Sequence, residues 1–150
     1  MRIDFENYKT LKDLTDFIMV SKECDRKAAT EWCRSNVPKE SYYQTKIIGH
    51  LKKKYPDSFV RKYSAGAFSS GGVPDILFIH KGRYIGFEVK RPYFGTVSEL
   101  QKQTIKDIRR AGGVAEVVTY ISEVDKIINI LEDWRLQDDR VRKDENQRHD

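Results

Sequence analysis

With 150 residues, 39% of them hydrophobic, the chain has one domain's length and enough apolar side chains for a core, which excludes a wholly disordered polypeptide. Its 28 basic and 23 acidic residues give a net charge of +5 and a pI near 9.1, a balance that favours an anionic partner. Cys24 and Cys33 are too few for a zinc pattern or a disulfide framework and read as reduced thiols of a cytoplasmic protein, and the apolar run Phe17 to Val20 is far too short to cross a membrane or form a signal-peptide core.

In chain order, Leu11, Leu14, Phe17 and Ile18 have helical spacing, Ser21 suits a turn, and Asp25 suits the cap of a second helix through Ala28, Ala29 and Trp32. Lys22, Arg26, Lys27 and Arg34 on that second helix loosely resemble a helix-turn-helix DNA reader. The alternative is a helical extension, residues 1–37, packed on the core or on a second subunit. Pro38 then opens a helix where its missing amide is not needed, with Tyr43, Ile47, Ile48, Leu51 and Tyr55 as the apolar stripe. Glu40 lies one turn ahead of Gln44 on that stripe, and an acid in a first turn suits the helix dipole. Lys52, Lys53 and Lys54 close the helix with cations at its negative end. Phe59 to Tyr63 reads as a short strand, and the Gly/Ser-rich stretch 64–72 as a loop bordering whatever follows.

The segment from Gly71 to Gln101 organises the rest. A two-residue loop at Lys81 and Gly82 pairs His80 with Arg83 and, by the same register, sets Asp75 opposite Glu88. Ile76, Phe78, Ile85, Phe87 and Val89 then share one face; Asp75, Leu77, Ile79, Tyr84, Gly86, Glu88 and Lys90 share the other. Both faces are largely apolar, which predicts a central strand pair covered on both sides. Carboxylates rooted roughly 5 Å apart repel by roughly 3 kcal/mol at an effective dielectric near 20. Lys90 supplies one relieving charge, and a divalent cation would supply more. Magnesium, a hard ion that takes oxygen ligands and keeps waters, suits such a pair.

Arg91 and Pro92 end the second strand and Gly95 allows the chain to turn. Ser98 and Gln101 form an S-x-x-Q capping box for a helix carrying Leu100, Ile105 and Ile108 as far as Ala111, where Gly112 and Gly113 stop it. Its outward Lys102, Lys106, Arg109 and Arg110 suit either a solvated face or phosphate contacts. Val114 to Tyr120 reads as the last strand, and Ser122 as the cap of a helix bearing Val124, Ile127, Ile128, Leu131 and Trp134. From 136 to 150 only Leu136 and Val141 are apolar, which predicts a disordered tail or a helix that forms only against a partner.

Pro74, Asp75, Glu88, Val89 and Lys90 resemble the signature of PD-(D/E)XK nucleases. The longer string of Gly72, Val73, Pro74 and Asp75, then Glu88 to Pro92, then Ser98 and Gln101, resembles the VRR-NUC family within them. The resemblance covers Lys39 to Val118, about half the chain. It implies an α/β restriction-endonuclease-like fold, a mixed central sheet flanked by helices in the order αβββαβ, at 38–135, with 1–37 as an added helical extension and 136–150 as a charged tail. It implies Mg²⁺, for which Mn²⁺ substitutes, held by Asp75, Glu88, the Val89 carbonyl and Glu40, with Lys90 and Gln101 completing the catalytic set. For Glu40 and Gln101 the competing readings are the helix dipole and the capping box. DNA contacts are expected from Lys62, Ser64, Arg91, Lys102 and Lys106. The implied activity is that of a homodimeric, structure-selective endonuclease on branched DNA such as Holliday junctions, with no membrane association. Flap, nicking or restriction-type cleavage is one alternative; a DNA-binding regulator using the N-terminal helices is another.

Overall fold

The computed structural model describes residues 2–63 and 71–147, with side chains to residue 137 and at 140. It divides into two compact units, 1–120 and 121–150. In the first unit a short 3₁₀ turn, Phe5–Asn7, precedes α1 (Leu11–Lys22), α2 (Arg26–Asn36) and α3 (Glu40–Lys54). Strands β1 (Phe59–Lys62), β2 (Ile76–His80) and β3 (Arg83–Val89) follow, then α4 (Glu99–Arg110) and β4 (Val114–Val118). The second unit is α5 (Ile121–Gln147).

The sheet runs β1-β2-β3-β4, antiparallel except for the parallel β3–β4 pair. From α3 onward this is the αβββαβ order with a mixed sheet that the sequence predicts. The hairpin register is also as predicted: His80 faces Arg83, Phe78 faces Ile85 and Ile76 faces Phe87. Lys81 (φ 50°) and Gly82 (φ 77°) both take positive φ, the mark of a type I′ turn whose twist matches the strands it joins. One sheet face, made of Ile76, Phe78, Ile85, Phe87 and Val89, is completely buried or nearly so. Tyr55, at the end of α3, lies against Phe78 at 5.7 Å between ring centroids. The other face differs from expectation, because Ile79 is 39% exposed while Gly86 and Glu88 are buried. Cover over β3 and β4 comes from α4, where Gln101 bonds Glu88 and Arg109 bonds the Ala115 carbonyl.

The N-terminal helices belong to the same compact unit as the sheet. A T-x-x-D capping box at Thr10 and Asp13 starts α1, and the Asp25 carboxylate accepts from the Ala28 amide to start α2. Leu14, Ile18, Ala29, Cys33 and Val37 form their core, and Tyr93 and Phe94, beyond β3, pack against it. Pro38 lies just outside α3, whose cap is Lys39 and whose first residue, Glu40, comes two residues later than predicted. The last strand stops at Val118, and α5 starts at Ile121, ahead of the expected cap at Ser122. The expectation of a disordered tail at 136–150 is corrected as far as Gln147, since α5 continues through it. After Ile121 the sequence holds no glycine or proline, so no helix breaker interrupts α5 beyond the apolar positions Val124, Ile128 and Leu131.

Candidate active site

The C-terminal end of β3 brings the predicted chemistry together. Continuing the ladder from Ile76–Phe87 sets Asp75 against Glu88, and Asp75 Oδ2 accepts from the Val89 amide at 2.8 Å. Gly86 is what lets this corner close. A Cβ there would stand 2.8 Å from Pro74 Cγ and 2.9 Å from the Tyr84 hydroxyl, so the Pro74–Asp75 segment could not lie so near β3.

Glu88 is 1% exposed, and Lys90 Nζ lies 2.8 Å from its Oε1. Gln101 Nε2 donates to the same oxygen at 2.6 Å, while Gln101 Oε1 accepts from the Ser98 amide to complete the capping box. The capping-box reading of Gln101 is thus realised, and the other end of the same amide holds Glu88. Asp75 Oδ1 and Glu88 Oε2 receive no hydrogen bond from the described residues. One oxygen of each acid is pinned and the other is open to a cation. Burial raises the Glu88 carboxyl above its ordinary value. The hydrogen bond from Lys90 opposes that shift, and the charges of Asp75 and then Glu40 add to it.

Glu40, in the first turn of α3, is thus close enough for its charge to act on Glu88. Among the described residues, however, no three Asp, Glu, His or Cys side chains converge as a metal cage, so Glu40 does not join Asp75 and Glu88 as a ready-made third ligand. The donor chemistry of the acid pair fits Mg²⁺, a hard ion that takes one or two carboxylates and retains water for its remaining positions. Val89 contributes its amide to Asp75. Lys90 is further fixed through its backbone, whose amide donates to the Val118 carbonyl and whose carbonyl accepts from the Thr119 hydroxyl.

The expected DNA contacts divide. Lys62 pairs with Ile76 in the β1–β2 ladder and is exposed at the end where Asp75 lies. Lys102 and Lys106 are exposed on α4 after Gln101, and Lys102 pairs with Glu99 at 2.7 Å. Ser64 lies outside the described residues. Arg91 is turned away from the role expected of it. Its Nη2 donates at 2.6 Å to the carbonyls of Arg34 and Val37, its Nε donates at 3.1 Å to that of Pro38, and its guanidinium stacks on Phe94 at 4.7 Å. The Arg34 and Val37 carbonyls end α2 and that of Pro38 follows it, so the cation satisfies orphan acceptors at the negative end of a helix dipole.

Sequence reasoning did not assign a site role to Gln44, an amide only 7% exposed one turn beyond Glu40. A polar residue within an apolar stripe was the available signal. Nor did it single out Tyr93, which holds φ at 65° and donates through its hydroxyl to the Phe5 and Tyr8 carbonyls. No sequence signal marks a tyrosine that takes the left-handed region for the sake of a contact so distant along the chain.

No protein-family model and no curated protein matches the chain. Among solved structures it is similar to one described as a "VRR_NUC domain", at 24% sequence identity, covering 58% of this chain and 95% of that one, with a TM-score of 0.47.

Proposed function

We propose that the chain is a Mg²⁺-dependent DNA endonuclease that hydrolyses phosphodiester bonds in branched DNA as a homodimer. The observation that carries this reading is the buried Glu88, facing Asp75 across the hairpin and held by Lys90 and Gln101. A buried carboxylate whose ionisation is made costly by burial and by a second acid has no structural benefit an apolar residue would lack, so its presence there points to a site with chemistry to do.

Asp75 Oδ1 and Glu88 Oε2 would hold Mg²⁺ or Mn²⁺, with the Val89 carbonyl and Glu40, directly or through water, as further ligands. When bound, the ion supplies an acidified water and neutralisation of charge on the phosphodiester. Lys90 either orients the attacking water or stabilises the negative charge that develops in the transition state. Gln101 keeps Glu88 in one rotamer, and the Val89 amide does the same for Asp75. Lys62, Lys102 and Lys106, all exposed, bind flanking phosphates.

The test is cleavage of junction, flap, nicked and linear duplex substrates of equal length, with and without Mg²⁺. Metal-dependent cutting of the branched forms, abolished by Asp75→Ala, Glu88→Ala or Lys90→Ala in variants that still bind, supports the proposal. Full activity in all three variants would remove the site. A sequence-reading or regulatory role for α2 is favoured by a separate surface cleft lined by Arg26, Lys27, Thr30, Glu31 and Arg34. Charge reversal at Lys27 tests it, because this reading expects DNA binding to collapse with or without metal.

A further inference from the structure

A second cavity, of about 540 Å³, is lined by Arg2, Ile3, Asp4, Phe5, Pro38, Tyr42, Tyr43 and Tyr120. Three of its walls are tied to the elements that carry the candidate site. Tyr42 and Tyr43 lie in the same turn of α3 as Glu40. Tyr120 follows Thr119, whose hydroxyl bonds the Lys90 carbonyl. The Arg2–Phe5 wall is pinned from beyond β3 by the Tyr93 hydroxyl, which accepts the left-handed backbone at Tyr93 in order to reach the Phe5 carbonyl. The cavity is thus a built feature at the sheet end that holds Lys90.

Its lining is aromatic. Tyr42 and Tyr43 meet edge to face at 5.3 Å, as do Tyr43 and Tyr120 at 5.8 Å. Burial first, then neighbouring Tyr42, pushes the Tyr43 hydroxyl up to about 12, and burial likewise raises Tyr120, so these walls stay uncharged. Tyr42 is 48% exposed, with the Lys46 ammonium 5.6 Å from its ring centre. Lys46 and Arg2 bring cations to the rim; Asp4 brings an acid, whose carboxylate accepts from the Glu6 amide. Flat uncharged rings with cations beside them match a nucleobase attached to its phosphate better than they match a phosphate alone.

We propose that this cavity receives one unpaired base of the substrate strand, stacked on Tyr42, and that this is how the nuclease selects branched or distorted DNA over continuous duplex. A base inside a duplex has both faces covered by its neighbours and can enter only when it leaves the stack, so an already unpaired base enters at lowest cost. The inference rests on the nuclease reading for its biological sense, although the stacking contact can be measured without any cleavage.

The experiment uses the full chain in EDTA and a duplex carrying a single unpaired 2-aminopurine, with a fully paired duplex of the same sequence as control. Stacking on tyrosine quenches 2-aminopurine fluorescence. Wild type is expected to quench the unpaired probe and not the paired one, Tyr42→Ala to lose the quenching and about 10-fold in affinity for the unpaired probe, and Tyr42→Phe to retain both. Tyr42→Ala quenching and binding like wild type, or Tyr42→Phe failing as badly as Tyr42→Ala, overturns the proposal. Cleavage of the same DNAs with Mg²⁺ is scored separately. Quenching that depends on Tyr42 without any cutting upholds the pocket and removes the nuclease reading; cutting without that quenching removes the pocket alone.

Discussion

Replacing Arg91 separates two accounts of the residue that follows the candidate catalytic lysine. As a phosphate contact, Arg91→Ala would leave stability within about 0.5 kcal/mol of wild type, as surface changes usually do, and would lower the salt dependence of DNA binding by about one unit. The structure argues otherwise. Of its three acceptors the Arg34 carbonyl is exposed and can return to water, while those of Val37 and Pro38 are partly buried. Two hydrogen bonds from a charged donor, at about 1.5–3 kcal/mol each, with about 0.5–1 kcal/mol for the cation over Phe94, give a loss near 3–5 kcal/mol after partial rehydration. For a chain of this length that is a fall in Tm of ~10 °C. Arg91→Lys keeps the charge at the end of α2 but not the fork that reaches several carbonyls, so it should lose about half as much. Urea unfolding gives the free energies, and native-state hydrogen exchange should show α1 and α2 opening first in Arg91→Ala. A variant as stable as wild type, with a shallower salt slope, would refute the clamp and restore the phosphate contact.

Glu88→Gln keeps an acceptor for Lys90 and Gln101 while removing a buried charge. Because the Glu88 carboxyl is raised in the fold, its contribution to stability is fully present below its ordinary value of 4.5 and is lost as pH rises through the folded value. Glu88→Gln should therefore gain on wild type across that rise in pH and hold the gain at pH 7, as read by thermal melts from pH 3.5 to 8, while losing metal-dependent cleavage. Lys90→Gln should lower the cleavage rate by about 10²–10³-fold, the scale of one preorganised donor to developing charge, with circular dichroism unchanged. Gly86→Ala would set a methyl 2.8 Å from Pro74 Cγ, and should cost about 1–3 kcal/mol in urea unfolding and move Asp75 enough to weaken activity as well.

The hairpin was legible because its signals are local: Lys81 and Gly82 fix a two-residue turn, the turn fixes register, and register alone puts Asp75 opposite Glu88. Gln101 was legible as a cap for the same reason, since a capping box spans four residues; its second bond, to Glu88, depends on how α4 lies across the sheet. The carbonyl contacts of Arg91 were not legible, because a basic residue beside a candidate catalytic lysine in a basic chain looks electrostatic, and nothing local reports that carbonyls 53 to 57 residues upstream await it. The exposure of Ile79 was missed for a related reason, as periodicity tells which residues share a face but not how far the covering helix extends. At 136–147 the absence of an apolar stripe left a disordered tail and a helix as alternatives, and the structure has the helix, which no glycine or proline interrupts after Ile121.

The N-terminal helices are tied to the candidate site through the turn that follows β3. Glu88 sits in a place where its charge is disfavoured, and only fixed partners keep it there: Lys90 at 2.8 Å and Gln101 at 2.6 Å. Lys90 in turn depends on backbone bonds to Val118 and Thr119 and on a tight turn closed by Gly95, where a Cβ would come within 2.9 Å of the Arg91 backbone and the Lys90 side chain. That turn carries Arg91, Tyr93 and Phe94, and all three lock onto α1, α2 or the segment before them. A loosely attached DNA-binding arm would need no such contacts, and a turn anchored only at its strand end would let Lys90 drift from Glu88. The helices therefore act on the site as a brace, so Arg91→Ala should lower the rate of cleavage more than it weakens DNA binding.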